Sequence, residues 1–400
     1  MSNIEWTDRT WNPVIGCTPV SPGCLNCYAA AMARRLEGMG KEDYAPRQVE
    51  AVMGTPYDPH TPAKTLRIAE VRGGRAVFTG EVRTLAHRLT EPLKWRKPCR
   101  VFVNSMSDLF HESVPDKFIR LVFAAMSWAG QHTYQVLTKR PDRMAAWFAD
   151  PENSLSACQA EWLVEAIDDT TPTGKHRIGR RGSTGSINGT RRGVGDGNYW
   201  PLPNVWLGTS VENQAAADER IPHLLRCPAA VRFLSCEPLL EHVDLSAFFG
   251  GTYIGLPGDE VHTNYNFGIN WVIVGGESGP RSRPCEVGWV RAIIRRCIEA
   301  EVPCFVKQLG SVPVLRECFD PETCHGEIEW PDGTRFGSRD GGPVGRCVLL
   351  KDRKGGDLSE WPGDFQVREM PVVGGLVEGK AGGDARPTGA CPTEETGVKV

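Results

Sequence analysis

Apolar residues fall in short runs that recur along the chain, at Trp11–Ile15, Phe78–Val82, Val101–Val103, Tyr134–Leu137, Val205–Leu207, Val231–Leu234, Trp271–Val274 and Cys304–Val306. Each is short, apolar and bounded by turn-forming or polar residues, which predicts a strand. Helical patterns fill most of the gaps: Tyr28–Leu36, Leu85–Trp95, Pro115–Trp128, Asp142–Phe148, Ala215–Leu225 and Gly288–Ala300. Short apolar strands alternating with helices imply βαβ units and a parallel sheet. Seven or eight such units predict an α/β fold: a full or partial (β/α) TIM-like barrel over residues 1–308. Residues 40–75, rich in turns, charges and prolines, read as a surface connection.

Two stretches break the alternation. Residues 151–200 form an insertion too long for a compact connection. Within it Lys175, His176, Arg177, Arg180, Arg181, Arg191 and Arg192 stand among Gly, Ser and Thr. So few apolar residues cannot order the segment, which is expected to be flexible. It reads either as a solvated loop or as a basic arm that contacts phosphates. Residues 309–372 form a C-terminal extension expected to pack on the barrel. Cys318, Cys324, His325 and Cys347 there lack the paired spacing of a zinc site. Lys351–Asp357 reads as a segment that closes the barrel mouth, binds an anion or simply turns. Residues 373–400, with Gly-Gly repeats, read as a disordered tail.

Composition narrows the class. A hydrophobic content of 40% supports a sizeable core, and a net charge of −3 excludes a general polycation, so any nucleic-acid contact must be local. Met1–Glu5 lacks the basic and apolar regions of a signal peptide. No run of 18 apolar residues is present, so no membrane partner is expected. Fourteen scattered cysteines suit a reduced, cytoplasmic protein better than a disulfide scaffold.

Chemistry is expected where strands end, since sites on barrels lie at the C-terminal rim. Polar residues follow the predicted strands in turn: Asn104, Ser105, Ser107 and Asp108; Thr138, Lys139 and Arg140; Thr209, Ser210 and Glu212; Ser235, Cys236 and Glu237; Gly275, Gly276, Glu277 and Ser278; Lys307 and Gln308. The densest signal lies nearer the start. Cys17, Cys24 and Cys27 are spaced C-x6-C-x2-C on a loop between a strand and a strong helix former. Backbone amides at a helix start favour negative charge. Three thiolates there suit an iron–sulfur cluster that lacks one protein ligand. Structural zinc takes four ligands. The next cysteine is Cys99 and the first histidine His60, so a zinc site would need a distant fourth residue. A disulfide would leave one cysteine over.

The loop resembles the cluster-binding loop of the radical S-adenosylmethionine (SAM) superfamily, whose usual spacing is C-x3-C-x2-C with an aromatic beside the last cysteine, here Tyr28. More closely, the run from Trp11-Asn-Pro through Gly16-Cys17, Ser21-Pro-Gly-Cys24 and Cys27-Tyr-Ala is similar to a phage-associated, uncharacterised radical-SAM-like family. So are Asn104–Asp108, Ser235–Pro238, Gly275–Ser278 and Lys351–Asp357. The resemblance covers about residues 1–150 and 200–372. The chain departs from the superfamily in its six-residue gap between the first two cysteines.

The resemblance implies a [4Fe–4S] cluster on Cys17, Cys24 and Cys27, with SAM on the open iron. Tyr28 is then expected near the adenine. Asn104, Ser105, Asp108, Glu212, Gly275, Gly276 and Glu277 are expected to contact SAM or substrate. Cys236 and Glu237 are the candidate catalytic pair, and Cys236 is expected to return hydrogen to a product radical, as a cysteine does in spore photoproduct lyase. Implied partners are DNA, through the Arg-rich insertion, and an electron donor such as flavodoxin or ferredoxin. The expected reaction modifies or repairs a nucleic acid base or nucleotide. Two alternatives stay open: a radical SAM enzyme for a peptide or small metabolite, and a non-catalytic, metal-stabilised binding barrel.

Overall fold

The computed structural model of the chain describes residues 4–49, 64–168, 200–250, 268–279, 281–315, 328–329, 335–336, 346–347 and 350–371. Seven parallel strands make its centre: β1 (Arg9–Trp11), β2 (Arg100–Val103), β3 (Thr133–Thr138), β4 (Val205–Ser210), β5 (Val231–Cys236), β6 (Trp271–Gly275) and β7 (Cys304–Gln308). They pair strictly in chain order, from β1 at one edge to β7 at the other. The connections carry α1 (Tyr28–Gly38), α2 (Asp116–Trp128), α3 (Pro141–Ala149), α4 (Leu155–Asp168), α5 (Gln214–Leu225) and α6 (Val287–Glu299). This is a mixed α/β fold with a curled, open parallel sheet, compatible with a partial (β/α) barrel.

Strand side chains alternate between two environments, as the period of two demands. Phe102, Trp206, Phe233, Trp271 and Phe305 gather with Trp6 on the concave face, where Trp6 and Phe102 lie 4.8 Å apart. Val101, Val103, Leu207, Leu234, Cys236, Val272, Val274 and Val306 face the other way, against Ile119, Val122, Ile221, Leu224 and Ile293 of the helices. Burial on both faces is why these strands read as continuous apolar runs. The free edge of β7 is covered by the C-terminal extension. Val306 N donates to Val367 O at 2.8 Å and Glu369 N to Cys304 O at 2.8 Å, while Trp361 and Phe365 are fully buried. Residues 350–371 thus lie against the β7 edge of the sheet.

Three expectations need correction. Phe78–Val82 adds no strand to the sheet. Phe78 ends a hairpin, Ala69–Arg72 with Arg75–Phe78, because Gly73 and Gly74 take left-handed φ angles of 54° and 72° and turn the chain back. Leu85–Trp95 forms two 3₁₀ turns, Ala86–Arg88 and Pro92–Lys94, with Pro92 at the start of the second, where its missing N–H interrupts the helical hydrogen-bond ladder. The expected insertion begins later than residue 151, because α4 occupies Leu155–Asp168 and buries Leu155, Cys158 and Trp162 at helical spacing. The basic residues from Lys175 to Arg192, together with Cys318, Cys324, His325 and the tail 373–400, lie outside the described residues. Among the described residues no helix is long and apolar enough to cross a membrane.

Between β1 and β2 the chain builds a second small core from Ile15, Ala30, Ala33, Tyr44, Ile68, Phe78 and Leu85, which Met106 joins from beyond β2. Cys17 and Cys27 pack against its rim.

Candidate functional site: a three-cysteine loop at the strand ends

The loop starts from a backbone constraint. Val14–Ile15 pairs antiparallel with Arg83–Thr84, and Gly16 follows with φ 91°. A Cβ on Gly16 would stand 2.0 Å from the Glu81 carbonyl oxygen, so only glycine fits. Gly16 N donates to Met106 O at 3.1 Å, which delivers Cys17 to the C-terminal end of β2. Pro22–Cys24 makes one 3₁₀ turn, and Cys27 is the residue that begins α1.

All three cysteines are free thiols of intermediate exposure. Burial pushes the Cys17 thiol up to about 12, helped by the nearby Asp108 carboxylate and opposed by Arg140. Burial also raises Cys27, with Cys24 adding to the rise, while the amides of Ala30 and Ala29 at the start of α1 oppose it. Among the described residues no three His, Cys, Asp or Glu side chains converge on a single-ion site. A four-iron cluster takes each thiolate on a different iron, so its ligands stand further apart than those of one ion. The three free thiols lie on one loop beside the amides that start α1.

Three carboxylates at three strand ends stand under the loop, and Asp108 and Glu277 hold it through a basic partner. Beyond β2, Asp108 accepts from Phe110 N (3.0 Å), Thr138 Oγ1 (2.7 Å), Lys139 N (3.0 Å) and Arg140 Nη1 (3.1 Å). Arg140 passes that anchorage on, donating from Nη2 to Thr18 O at 3.2 Å and from Nη1 to Cys17 Sγ at 3.8 Å. Beyond β4, Glu212 is 1% exposed and accepts from Lys139 Nζ (2.9 Å) and Arg220 Nη1 (2.8 Å). Despite its burial, these two cations hold its carboxyl down at about 2. The loop lies directly on this pair: a Cβ on Gly23 would come within 3.2 Å of Lys139 Nζ and of the Glu212 carboxyl carbon. Beyond β6, Glu277 grips Arg283 with both oxygens and accepts from Asn26 Nδ2 at 3.0 Å, and Arg283 Nη1 reaches Pro22 O at 2.8 Å.

Several expected site residues thus come together, but as anchors. Asp108, Glu212 and Glu277 have their oxygens engaged by protein donors. Gly276 serves close packing, since a Cβ there would stand 2.2 Å from Leu309 O, and Gly275 lies against Gln308 and Glu237. Asn104 takes a left-handed φ of 59° and accepts from Val14 N, which fixes the loop's first strand. Ser105 Oγ donates to Asn12 Oδ1, and its carbonyl accepts from the Tyr28 hydroxyl at 2.8 Å. Tyr28 is 56% exposed, so its ring stands open at the rim. Glu237 stays at the mouth, paired with Lys307 Nζ at 2.9 Å.

Cys236 does not. It is 0% exposed within the helix-side core, and burial drives its thiol strongly upward. Strand alternation turns its neighbours Ser235 and Glu237 the other way, so the expected hydrogen donor lies on the wrong face of the sheet.

Arg220, Arg283 and Asn26 escaped the sequence reading, because nothing in their local pattern marks them as partners of distant carboxylates. Lys139, Arg140 and Lys307 were visible as rim residues, although their partners were not.

Fold and site together define an α/β half-barrel with a three-cysteine loop at the C-terminal ends of its strands. The chain belongs to the family described as Protein of unknown function (DUF5131), whose model matches residues 1–337. No curated protein and no solved structure matches it.

Proposed function

We propose that the protein is a radical-SAM-type iron–sulfur enzyme that acts on a nucleic acid base or nucleotide. The observation that carries this reading is the placement of three free cysteines, on one loop, at the mouth of a parallel half-barrel. Cys17, Cys24 and Cys27 would hold a [4Fe–4S] cluster. With SAM bound, that group, once reduced by the electron donor, would supply the one electron that breaks the SAM C5′–S bond, releasing methionine and a 5′-deoxyadenosyl radical for hydrogen abstraction. The chain's own part is to bind, orient and exclude water. Trp6, Phe102, Trp206, Phe233, Trp271 and Phe305 line the concave face with buried aromatic rings, which would help exclude water. With the anchoring carboxylates engaged, Tyr28, Glu237 and Lys307 are the polar and aromatic groups left to orient SAM and substrate.

The nucleic-acid assignment rests on the sequence: the phage association of the family it resembles, the likeness to the spore photoproduct lyase branch, and the basic run from Lys175 to Arg192. A base within a duplex would have to be flipped out to reach the mouth. Electrons would come from a flavodoxin- or ferredoxin-like donor.

The test is anaerobic reconstitution with iron and sulfide, then electron paramagnetic resonance (EPR) of the reduced protein with and without SAM. A cluster signal that changes with SAM, with 5′-deoxyadenosine released, is expected. Zinc without iron in protein purified anaerobically, and no reconstituted cluster, would refute the reading.

A further inference from the structure

The six residues between Cys17 and Cys24 make the first cysteine the least constrained by its own loop, yet Cys17 is the one most heavily tied to the barrel. The tie is Arg140, just beyond β3 and 7% exposed. Its guanidinium is used on every side. Nε donates to Glu112 Oε2 at 3.0 Å, Nη1 to Asp108 Oδ2 at 3.1 Å and to Cys17 Sγ at 3.8 Å, and Nη2 to Thr18 O at 3.2 Å. Asp108 is itself fixed by Phe110 N, Thr138 Oγ1 and Lys139 N, so the guanidinium has one orientation. Thr18 Oγ1 is held as well, 2.7 Å from His111 Nε2.

We infer that Arg140 is a positioning residue for Cys17, which seats the thiolate across the long gap and raises the electron affinity of the group bound there. The inference rests on the cluster reading above. Hydrogen bonds and positive charge at a ligating sulfur favour the reduced, more negative state of a cluster. A planar fork can hold a carboxylate, a carbonyl and a sulfur together; an ammonium on a flexible stem cannot.

The full chain carrying Arg140→Gln, reconstituted anaerobically beside the native protein, tests this through an EPR-monitored redox titration. Iron content should match the native protein. At the native midpoint potential the reduced fraction should fall from one half to about one tenth, the tenfold change that corresponds to about 59 mV for one electron. Arg140→Lys keeps the charge and should recover part of the shift, which also covers the case in which the glutamine variant fails to fold. An iron-loaded variant with an unmoved potential overturns the role of Arg140 and leaves the enzyme reading standing. Native protein that takes up no iron overturns both.

Discussion

Glu212→Gln isolates the electrostatics of the loop's central anchor. The native carboxylate is buried between Lys139 Nζ at 2.9 Å and Arg220 Nη1 at 2.8 Å. A carboxyl held at about 2 rather than 4.5 contributes roughly 3 kcal/mol at about 1.4 kcal/mol per pH unit. Removing one partner of a buried ion pair costs a similar amount, about 3–5 kcal/mol, because the remaining charge is left uncompensated. The two routes agree. Because the folded-state value is depressed, this stability is present in full above the unfolded value of 4.5 and is lost as pH falls towards about 2. Urea unfolding of metal-free protein between neutral pH and the acid limb should show the native protein weakening over that window. The glutamine variant should start roughly 3 kcal/mol lower near neutral pH and show a flatter acid limb. Equal stability at neutral pH, or an unchanged acid limb, would refute the assignment of Glu212 as the loop's buried anchor.

Other outcomes follow from the same geometry. Gly16→Ala must place a Cβ 2.0 Å from Glu81 O at φ 91°, so iron uptake on reconstitution should collapse while α2 to α6 stay folded by circular dichroism. Brief alkylation of the folded, metal-free protein should label the half-exposed Cys24 ahead of the buried Cys158, Cys227, Cys236, Cys285, Cys297 and Cys304 in peptide mapping, and early labelling of Cys236 would contradict its place in the core. Trp361→Ala removes a fully buried ring and its hydrogen bond to Gly355 O (3.1 Å). It should cost about 3–5 kcal/mol and open residues 350–371 to limited proteolysis.

Much of the architecture was legible because parallel strands buried on both faces leave continuous apolar runs. Six of the eight predicted runs became sheet strands, and Trp11–Ile15 shares only Trp11 with β1, its Val14–Ile15 end pairing with Arg83–Thr84 outside the sheet. The eighth failed for a local reason: Val77 and Phe78 are apolar, but the Gly73–Gly74 turn pairs them with their immediate neighbours. The cysteine loop was legible from residue type and spacing. The roles of the strand-end carboxylates were not, because a carboxylate that contacts a ligand and one that anchors a loop look alike until the donors around them are known.

The sequence by itself determined the βαβ alternation, the three thiols and the polar rim, since these depend on residue type and short spacing. Only the tertiary structure decided that Cys236 turns into the helix-side core while Glu237 remains at the mouth, because strand register assigns faces. It also decided that Asp108 and Glu277 grip the cysteine loop through Arg140 and Arg283, while the Lys139–Glu212 pair lies directly beneath Gly23. Glu277 and Asn26 are 251 residues apart in the chain, and only the curl of the sheet brings them within 3.0 Å.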